Sequence, residues 1–276
     1  SIDEALLFLH EAETPTRIIS SGTDLLLKLR VQQGHPVGLV DISDVSELAG
    51  IQAKDGSLMI GSGTRLADVA ASPLLTGAFQ ALAMGAVQVG SPQIRNLASI
   101  GGNLCNAAPS ADTAAPLLAL GAQVEITSLH GSRIIPLTEF FVGPGKTCLQ
   151  KDELLANIIM PKQEPGSVGT YFKHSVRGAM DLAMVVVSIV AWKSQEQIHG
   201  RIALGAVAPV PMRTPRAESL LGDTLNLTPD RITKIANIAA EEAHPISDVR
   251  ASAEYRHEMV QALTERALHQ IVNTIL

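Results

Sequence analysis

Apolar positions along the chain fall into short runs of alternating period, punctuated by turns of small residues. Ser1-Ile2-Asp3-Glu4 has the form of a capping box and predicts a helix running to about Glu13. The β-branched run Arg17-Ile18-Ile19 breaks off at Ser20-Ser21-Gly22-Thr23, and an apolar helical stretch, Leu25–Val31, starts after Asp24. The unit reads as strand, tight turn, helix. Residues 37–42 form the next predicted strand, and 51–53 and 58–60 flank Asp55-Gly56 as a hairpin. Helical text over 65–70 and 75–87 gives way to a long polar stretch, 88–112, holding Gly90, Pro92, Gly101, Gly102 and Pro109. A stretch of that length with little periodicity, inside an otherwise regular chain, points to function. A helix over 113–120 closes it, strands at 123–127 and 132–135 flank a His130-Gly131 turn, and Gly143-Pro144-Gly145-Lys146 is a further loop.

A proline- and glycine-bearing stretch, 161–169, marks the expected boundary. Beyond it, long strands (170–176, 182–192, 198–207) precede Pro209 and Pro211, and three helical stretches close the chain. Strands followed by helices predict an α+β domain, an antiparallel sheet with helices on one face. The expected domains are 1–165, subdivided near 54, and 166–276. No internal repeat is visible.

Composition narrows the functional classes. The net charge is −6, aromatics make up 3% and no run of Lys or Arg occurs, which argues against nucleic-acid binding. With only 17% charged residues and a mean hydropathy of +0.22, the chain has either a well-filled core or surface committed to a partner. Cys105 and Cys148 resemble no disulfide framework, fit a reducing compartment and, without Cys-x-x-Cys, cannot supply an iron–sulfur cluster. Eight scattered histidines without HExxH give no expectation of a metal site. The apolar stretch near 182–192 contains Ser188 and is too short to span a bilayer. With no signal-like opening, a cytoplasmic location is expected.

Two loops carry candidate chemistry. In Ser20-Ser21-Gly22-Thr23-Asp24, small residues let the backbone approach a ligand, and successive amides in a tight turn can form an anion nest before a helix. The simpler reading is an ordinary helix cap. In Ser99-Ile100-Gly101-Gly102-Asn103, followed by Asn106, Ser110 and Asp112, adjacent glycines offer positive φ angles and exposed amides, Asn103 a side-chain donor, and Asp112 an acceptor for ribose hydroxyls. A connecting glycine turn is the simpler reading there. Two such loops in one chain, with no P-loop and no G-x-G-x-x-G opening a helix, favour a nucleotide site of another kind. Gly61-Ser62-Gly63 lacks the third glycine.

The 20–24 loop resembles the Ala-Gly-Gly-Thr-Asp loop of molybdenum-hydroxylase flavin subunits. Residues 90–103, Gly-Ser-Pro-Gln-Ile-Arg-Asn-Leu-Ala-Ser-Ile-Gly-Gly-Asn, are very similar to that family's second flavin loop. Gly143-Pro144-Gly145-Lys146-Thr147, resembling most the bacterial xanthine dehydrogenase branch, Gly205-Ala206-Val207-Ala208-Pro209 and Arg250-Ala251-Ser252-Ala253-Glu254-Tyr255-Arg256 also match. The resemblance implies a vanillyl-alcohol-oxidase-type FAD fold followed by the α+β domain. It puts Arg17, Ile18, Ile19, Ser20, Ser21, Gly22, Thr23 and Asp24 on one side of the FAD pyrophosphate. On the other side it puts Ala98, Ser99, Ile100, Gly101, Gly102, Asn103, Asn106, Ser110 and Asp112. Leu155 and Lys173 match positions that reach the flavin ring, Lys173 at its polar edge, where an ammonium would stabilise charge on the reduced flavin.

The resemblance also implies an electron-transfer subunit without a catalytic residue of its own. Substrate would be hydroxylated at molybdopterin in a large partner subunit, and electrons would pass through 2Fe-2S clusters in a small partner to FAD, then to NAD+ or another acceptor. A stand-alone flavoprotein and a flavin-free assembly paralogue are the alternatives. The chain departs from the family pattern at Ser20-Ser21, in place of Ala-Gly, and in a short segment that relatives carry before Ser1. If Ser21 had to be left-handed, its side chain would cost on the order of 1–2 kcal/mol, which is the motive for the flavin-free alternative.

Overall fold

The computed structural model describes residues 1–31, 37–195, 197–222 and 227–275. The capping box forms: Ser1 Oγ accepts from Glu4 N (3.2 Å) and the Glu4 carboxylate accepts from the Ser1 amine (2.8 Å). It starts α1 (Ile2–Glu11), which stops short of Glu13 where the chain turns extended at Ala12. β1 (Thr16–Ile19) then runs parallel to β2 (Gly38–Asp41), with α2 (Leu25–Val31) between them in sequence. This small lobe packs Ala5, Leu6 and Ile42 against Leu48, Leu154 and Ala156 of the central lobe.

The central lobe is a five-stranded antiparallel sheet. Its first hairpin, β3 (Ile51–Lys54) and β4 (Ser57–Gly61), turns at Asp55 and Gly56, both at positive φ (52° and 83°), as the Asp-Gly pair predicts. The helices α3 (Leu66–Ala71), α4 (Gln80–Val87), α5 (Pro92–Arg95), α6 (Ile100–Cys105) and α7 (Ala114–Ala119) come after it. Next are β5 (Gln123–Ser128), β6 (Gly131–Pro136), a small hairpin of β7 (Phe141–Gly143) and β8 (Lys146–Thr147), and β9 (Leu154–Met160). The order across the sheet is β3-β4-β9-β5-β6, so the last strand in sequence lies at its centre. The stretch 88–112, expected to be irregular, contains two short helices, α5 and α6. Ser91 and Ser99 cap them, each accepting from the amide three residues on.

The C-terminal part is the expected antiparallel sheet, β10 (Val168–His174), β11 (Val185–Ser194), β12 (Gln197–Gly205) and β13 (Met212–Arg213), followed by α8 (Pro215–Ser219), α9 (Pro229–Glu242) and α10 (Ala253–Ile275). Its own helices α9 and α10 cover one face, where Val185, Val187 and Ile189 meet Ile235, Ala239 and Leu263. The other face, with Val186, Val190 and Ala203, is closed by α4 and α7 of the central lobe. Burial on both faces explains why β11 is apolar from Val185 to Trp192 except at Ser188, whose buried hydroxyl donates to Thr170 O (2.9 Å). No helix among the described residues is long and apolar enough to cross a membrane.

Arg256, only 3% exposed at the start of α10, staples this lobe. Its guanidinium donates to Met184 O (2.8 Å), Ala206 O (3.0 Å) and Asp248 Oδ1 (2.9 Å). Asp248 also accepts from the Arg250 and Ala251 amides. Those amide bonds and the Arg256 charge hold its carboxyl down at about 2. An unfolded aspartate titrates near about 3.9, so this stabilisation is complete above pH ~4 and is lost as pH falls through that value toward 2. Asp248→Asn is expected to cost about 1–2 kcal/mol at neutral pH, the lower range because Asp248 is partly solvated. In urea unfolding at pH 7 and pH 3, the gap between variant and wild type should narrow at pH 3.

Candidate functional site

One cavity of about 1080 Å³ opens where the N-terminal lobe, the 88–112 stretch and the C-terminal lobe converge. That is the upper end of the small-molecule range, roughly 300–1,000 Å³, and suits an extended ligand. Two of its walls are the two loops. Arg17, Ile18, Ile19, Ser20, Ser21, Gly22, Thr23 and Asp24 form one; Ala98, Ser99, Gly101, Gly102, Asn103, Asn106, Ser110 and Asp112 form the other, and Leu155 adds to the lining. Ile100 does not line it: as the first residue of α6 its side chain goes fully into the core. Lys173 stands behind Asp112 rather than on the wall.

The two loops differ in what they offer. In the first, the amides of Ser21, Gly22 and Thr23 donate to no protein acceptor among the described residues. Gly22 is left-handed (φ +76°), the conformation that swings consecutive amides to one side, whereas Ser21 is not at positive φ. The strain considered for Ser21 therefore does not arise, because the family's glycine is kept where the backbone needs it.

The second loop corrects the expectation of positive φ and exposed amides. Gly101 and Gly102 are in the first turn of α6 and neither has positive φ. Their amides are already engaged: Gly101 N donates to Ser62 O (2.8 Å) and Gly102 N to Ser99 Oγ (3.1 Å). Gly101 is required by proximity instead, since a Cβ there would sit 2.5 Å from Ser62 Cβ. This wall supplies side chains. Asn103 Oδ1 accepts from Thr113 Oγ1 (2.6 Å) and Asn106 Oδ1 from Lys28 Nζ, which leaves each amide NH2 for a ligand.

Lys28 was not foreseen. It sits on α2, lines the cavity and reaches across to the second wall through Asn106. An exposed helix lysine carries no signal in sequence. Ser62, also missed, lines the cavity with a buried hydroxyl that has no partner among the described residues. Of the Gly61-Ser62-Gly63 stretch, only the serine has this polar role. Cys105 lines the cavity as well, but burial pushes its thiol up to about 12, which keeps it protonated and unreactive; both cysteines are free.

Asp112 is less available than expected. Its Oδ1 accepts from the Tyr171 hydroxyl (2.6 Å) and its Oδ2 from Lys173 Nζ (3.0 Å), which also donates to Gln88 O (3.3 Å). Burial raises the Asp112 carboxyl, opposed by the Lys173 charge and both hydrogen bonds. Burial likewise pushes the Tyr171 hydroxyl well up, assisted by the Asp112 charge. The side chains of Lys173 and Asp112 are 7% and 10% exposed, so the pair is internal.

Comparison with known proteins matches nearly the whole length of the chain. Residues 1–163 match the family described as the FAD binding domain in molybdopterin dehydrogenase, and 170–271 the CO dehydrogenase flavoprotein C-terminal domain. A putative xanthine dehydrogenase FAD-binding subunit of Escherichia coli K12 is 35% identical over 266 residues, 95% of this chain and 90% of the relative. The carbon monoxide dehydrogenase medium chain of Hydrogenophaga pseudoflava is 30% identical over 271 residues, 98% of this chain and 93% of the relative. Among solved structures, a carbon monoxide dehydrogenase from that organism aligns with a TM-score of 0.94 at 28% identity, covering 100% of this chain and 96% of the other. Quinoline 2-oxidoreductase from Pseudomonas putida 86 aligns at 0.90 and 27%, covering 99% and 94%.

The two glycines are expected to respond differently to the same substitution. Gly101→Ala forces a methyl into the Ser62 backbone and is expected to destabilise by about 1–3 kcal/mol. Gly102→Ala meets only the Ser99 hydroxyl, at 3.0 Å, and should stay within about 1 kcal/mol of wild type. Thermal and urea unfolding of both variants check this; equal stability would remove the close-packing account of Gly101.

Proposed function

The chain belongs to the FAD-binding subunits of the molybdenum hydroxylase family, and we propose that it works as the electron-transfer subunit of such a complex in the cytoplasm. We take residues 1–165, subdivided near 54, as the FAD-binding domain and 166–276 as the C-terminal domain. The cavity fits the cofactor on its own terms. It presents free amides around a left-handed glycine, two asparagine NH2 groups, a Ser62 hydroxyl without a partner among the described residues, and Lys28, within one cavity.

The observation that carries the reading is the pairing of donors across the cavity, free amides on one wall and Asn103, Asn106 and Lys28 toward the other, as a pyrophosphate needs. The 20–24 loop and Lys28 would neutralise and orient the two phosphates, and Arg17 stands at the end of the same wall. Gly101 lets the second wall pack directly against Ser62. Leu155 would give the ring an apolar surface. Asp112, locked by Tyr171 and Lys173, would hold the wall between the phosphates and the ring in one conformation. When bound, FAD accepts electrons singly or in pairs and passes a hydride to an acceptor such as NAD+. No proton-transferring side chain is asked of this chain.

Electrons would arrive from 2Fe-2S clusters of a small partner subunit, fed by a large molybdopterin subunit, since the two cysteines here cannot hold a cluster. The flavin-free alternative loses its motive, because Ser21 is unstrained.

Purified protein is expected to carry, or take up, non-covalent FAD at one equivalent. Protein that stays colourless and shows no binding in a fluorescence titration with FAD would sink the reading. Lys28→Ala is expected to weaken FAD by about 1–2 kcal/mol, roughly five- to thirty-fold in Kd, with an unchanged far-ultraviolet spectrum.

A further inference from the structure

Outside the cavity and the cofactor loops, three side chains from separate elements converge. His10 lies in the last turn of α1, His130 at the tip of the β5–β6 hairpin, and Asp152 in the connection between β8 and β9. His10 Nδ1 is 3.8 Å from Asp152 Oδ2, the two imidazoles meet edge to face with centroids 5.9 Å apart, and one ligand atom from each residue lies within 4.8 Å of the others. We propose that His10, His130 and Asp152 form a zinc site that clamps the N-terminal helix to the central lobe.

The donor set favours a transition-metal ion over the hard, oxygen-seeking cations, and zinc is the redox-inert member of that class. Two imidazole nitrogens and one carboxylate suit Zn²⁺, whereas Ca²⁺ and Mg²⁺ require oxygen ligands in greater number. Zinc bonds of about 2.0–2.2 Å bring tetrahedral ligands to roughly 3.3 Å from one another, so the three side chains must close by about an ångström. They are free to do so: the His10 and Asp152 side chains are 50% and 28% exposed, and His130 is exposed. Water would complete the fourth position.

The backbone beneath two of the ligands is already fixed. The hairpin tip is tied by Ser128, whose hydroxyl donates to Gly131 O (3.2 Å) and accepts from His130 N (3.2 Å). Beside Asp152, Glu153 makes a two-pronged pair with Arg133 (3.1 and 2.9 Å) and accepts from Gln150 N (2.8 Å). This joins the Asp152 connection to the same hairpin that carries His130. His10, at the carbonyl end of α1, is the moving part, and the helix dipole favours a cation there. The chain neighbours Leu9, Lys151 and Glu153 line the cavity, although the three ligands themselves do not.

The experiment is a competition titration of the full chain with zinc chloride against a chromophoric chelator, on wild type, His10→Gln, His130→Ala and Asp152→Asn. One equivalent binding in the micromolar range or tighter is expected, weakened more than about tenfold by either histidine change. Zinc should raise the thermal midpoint of wild type but not of His130→Ala, whose exposed turn position leaves the fold intact without metal. Substituting cobalt(II) should give the visible spectrum of a tetrahedral nitrogen–oxygen site. Absence of saturable binding, or binding that survives both histidine substitutions, overturns the proposal. None of these readouts depends on FAD, so they stand apart from the flavin titration.

Discussion

A carboxylate held between a phenol and an ammonium joins the two main parts of this molecule at the edge of its cavity. Asp112 ends the long stretch that builds the second wall, while Tyr171 and Lys173 both come from β10 of the C-terminal sheet. A buried carboxylate without partners would be strongly disfavoured, so the position of the wall and the register of β10 are bound together. A slip of β10 by one residue would turn Tyr171 and Lys173 to the opposite faces and strand the charge. The same β10 supplies part of the floor on which α4 packs, and β11 beside it is buried on both faces. Such a pair adds little net stability; its contribution is to penalise arrangements of wall and sheet that would leave Asp112 or Lys173 unpaired.

Much of the fold was legible because its elements announce themselves locally. The Ser1 capping box, the Asp55-Gly56 hairpin and the strand–turn–helix at 16–31 each rest on a few adjacent residues with one good solution. Less legible were features set by distant neighbours. The polar stretch 88–112 reads as irregular, but Ser91 and Ser99 nucleate short helices whose periodicity is too brief to register. The apolar run of β11 predicted a strand; that its second face is covered by α4 and α7 depends on the way the lobes meet.

Most residues named from sequence line the cavity, Ile100 and Lys173 excepted, and the physical reasons for them were only partly legible. Gly101 and Gly102 look like a flexible turn, yet one is a contact glycine beneath Ser62 and the other a helical residue that meets little beyond the Ser99 hydroxyl. Gly22, less conspicuous in its serine-rich loop, is the one whose φ matters. The free amides thus belong to the loop that resembles a simple cap, and the more recognisable loop contributes shape and side chains. Lys28 and Ser62 escaped notice because a helix lysine and a strand-end serine become chemical groups only through what faces them.

The buried pair also changes what Lys173 can do. A bare ammonium near a flavin would favour the reduced, more negative form by its full charge. With Asp112 3.0 Å away, the two charges form a short dipole whose field falls off faster and depends on direction. Any contribution of Lys173 to cofactor electronics is therefore set by orientation, and Tyr171 controls that orientation by anchoring the other carboxylate oxygen. In the proposed role, tuning and positioning would be the same property of one cluster. A change that loosens Tyr171 would shift the wall of the cavity and the field inside it together, even though Tyr171 does not line the cavity.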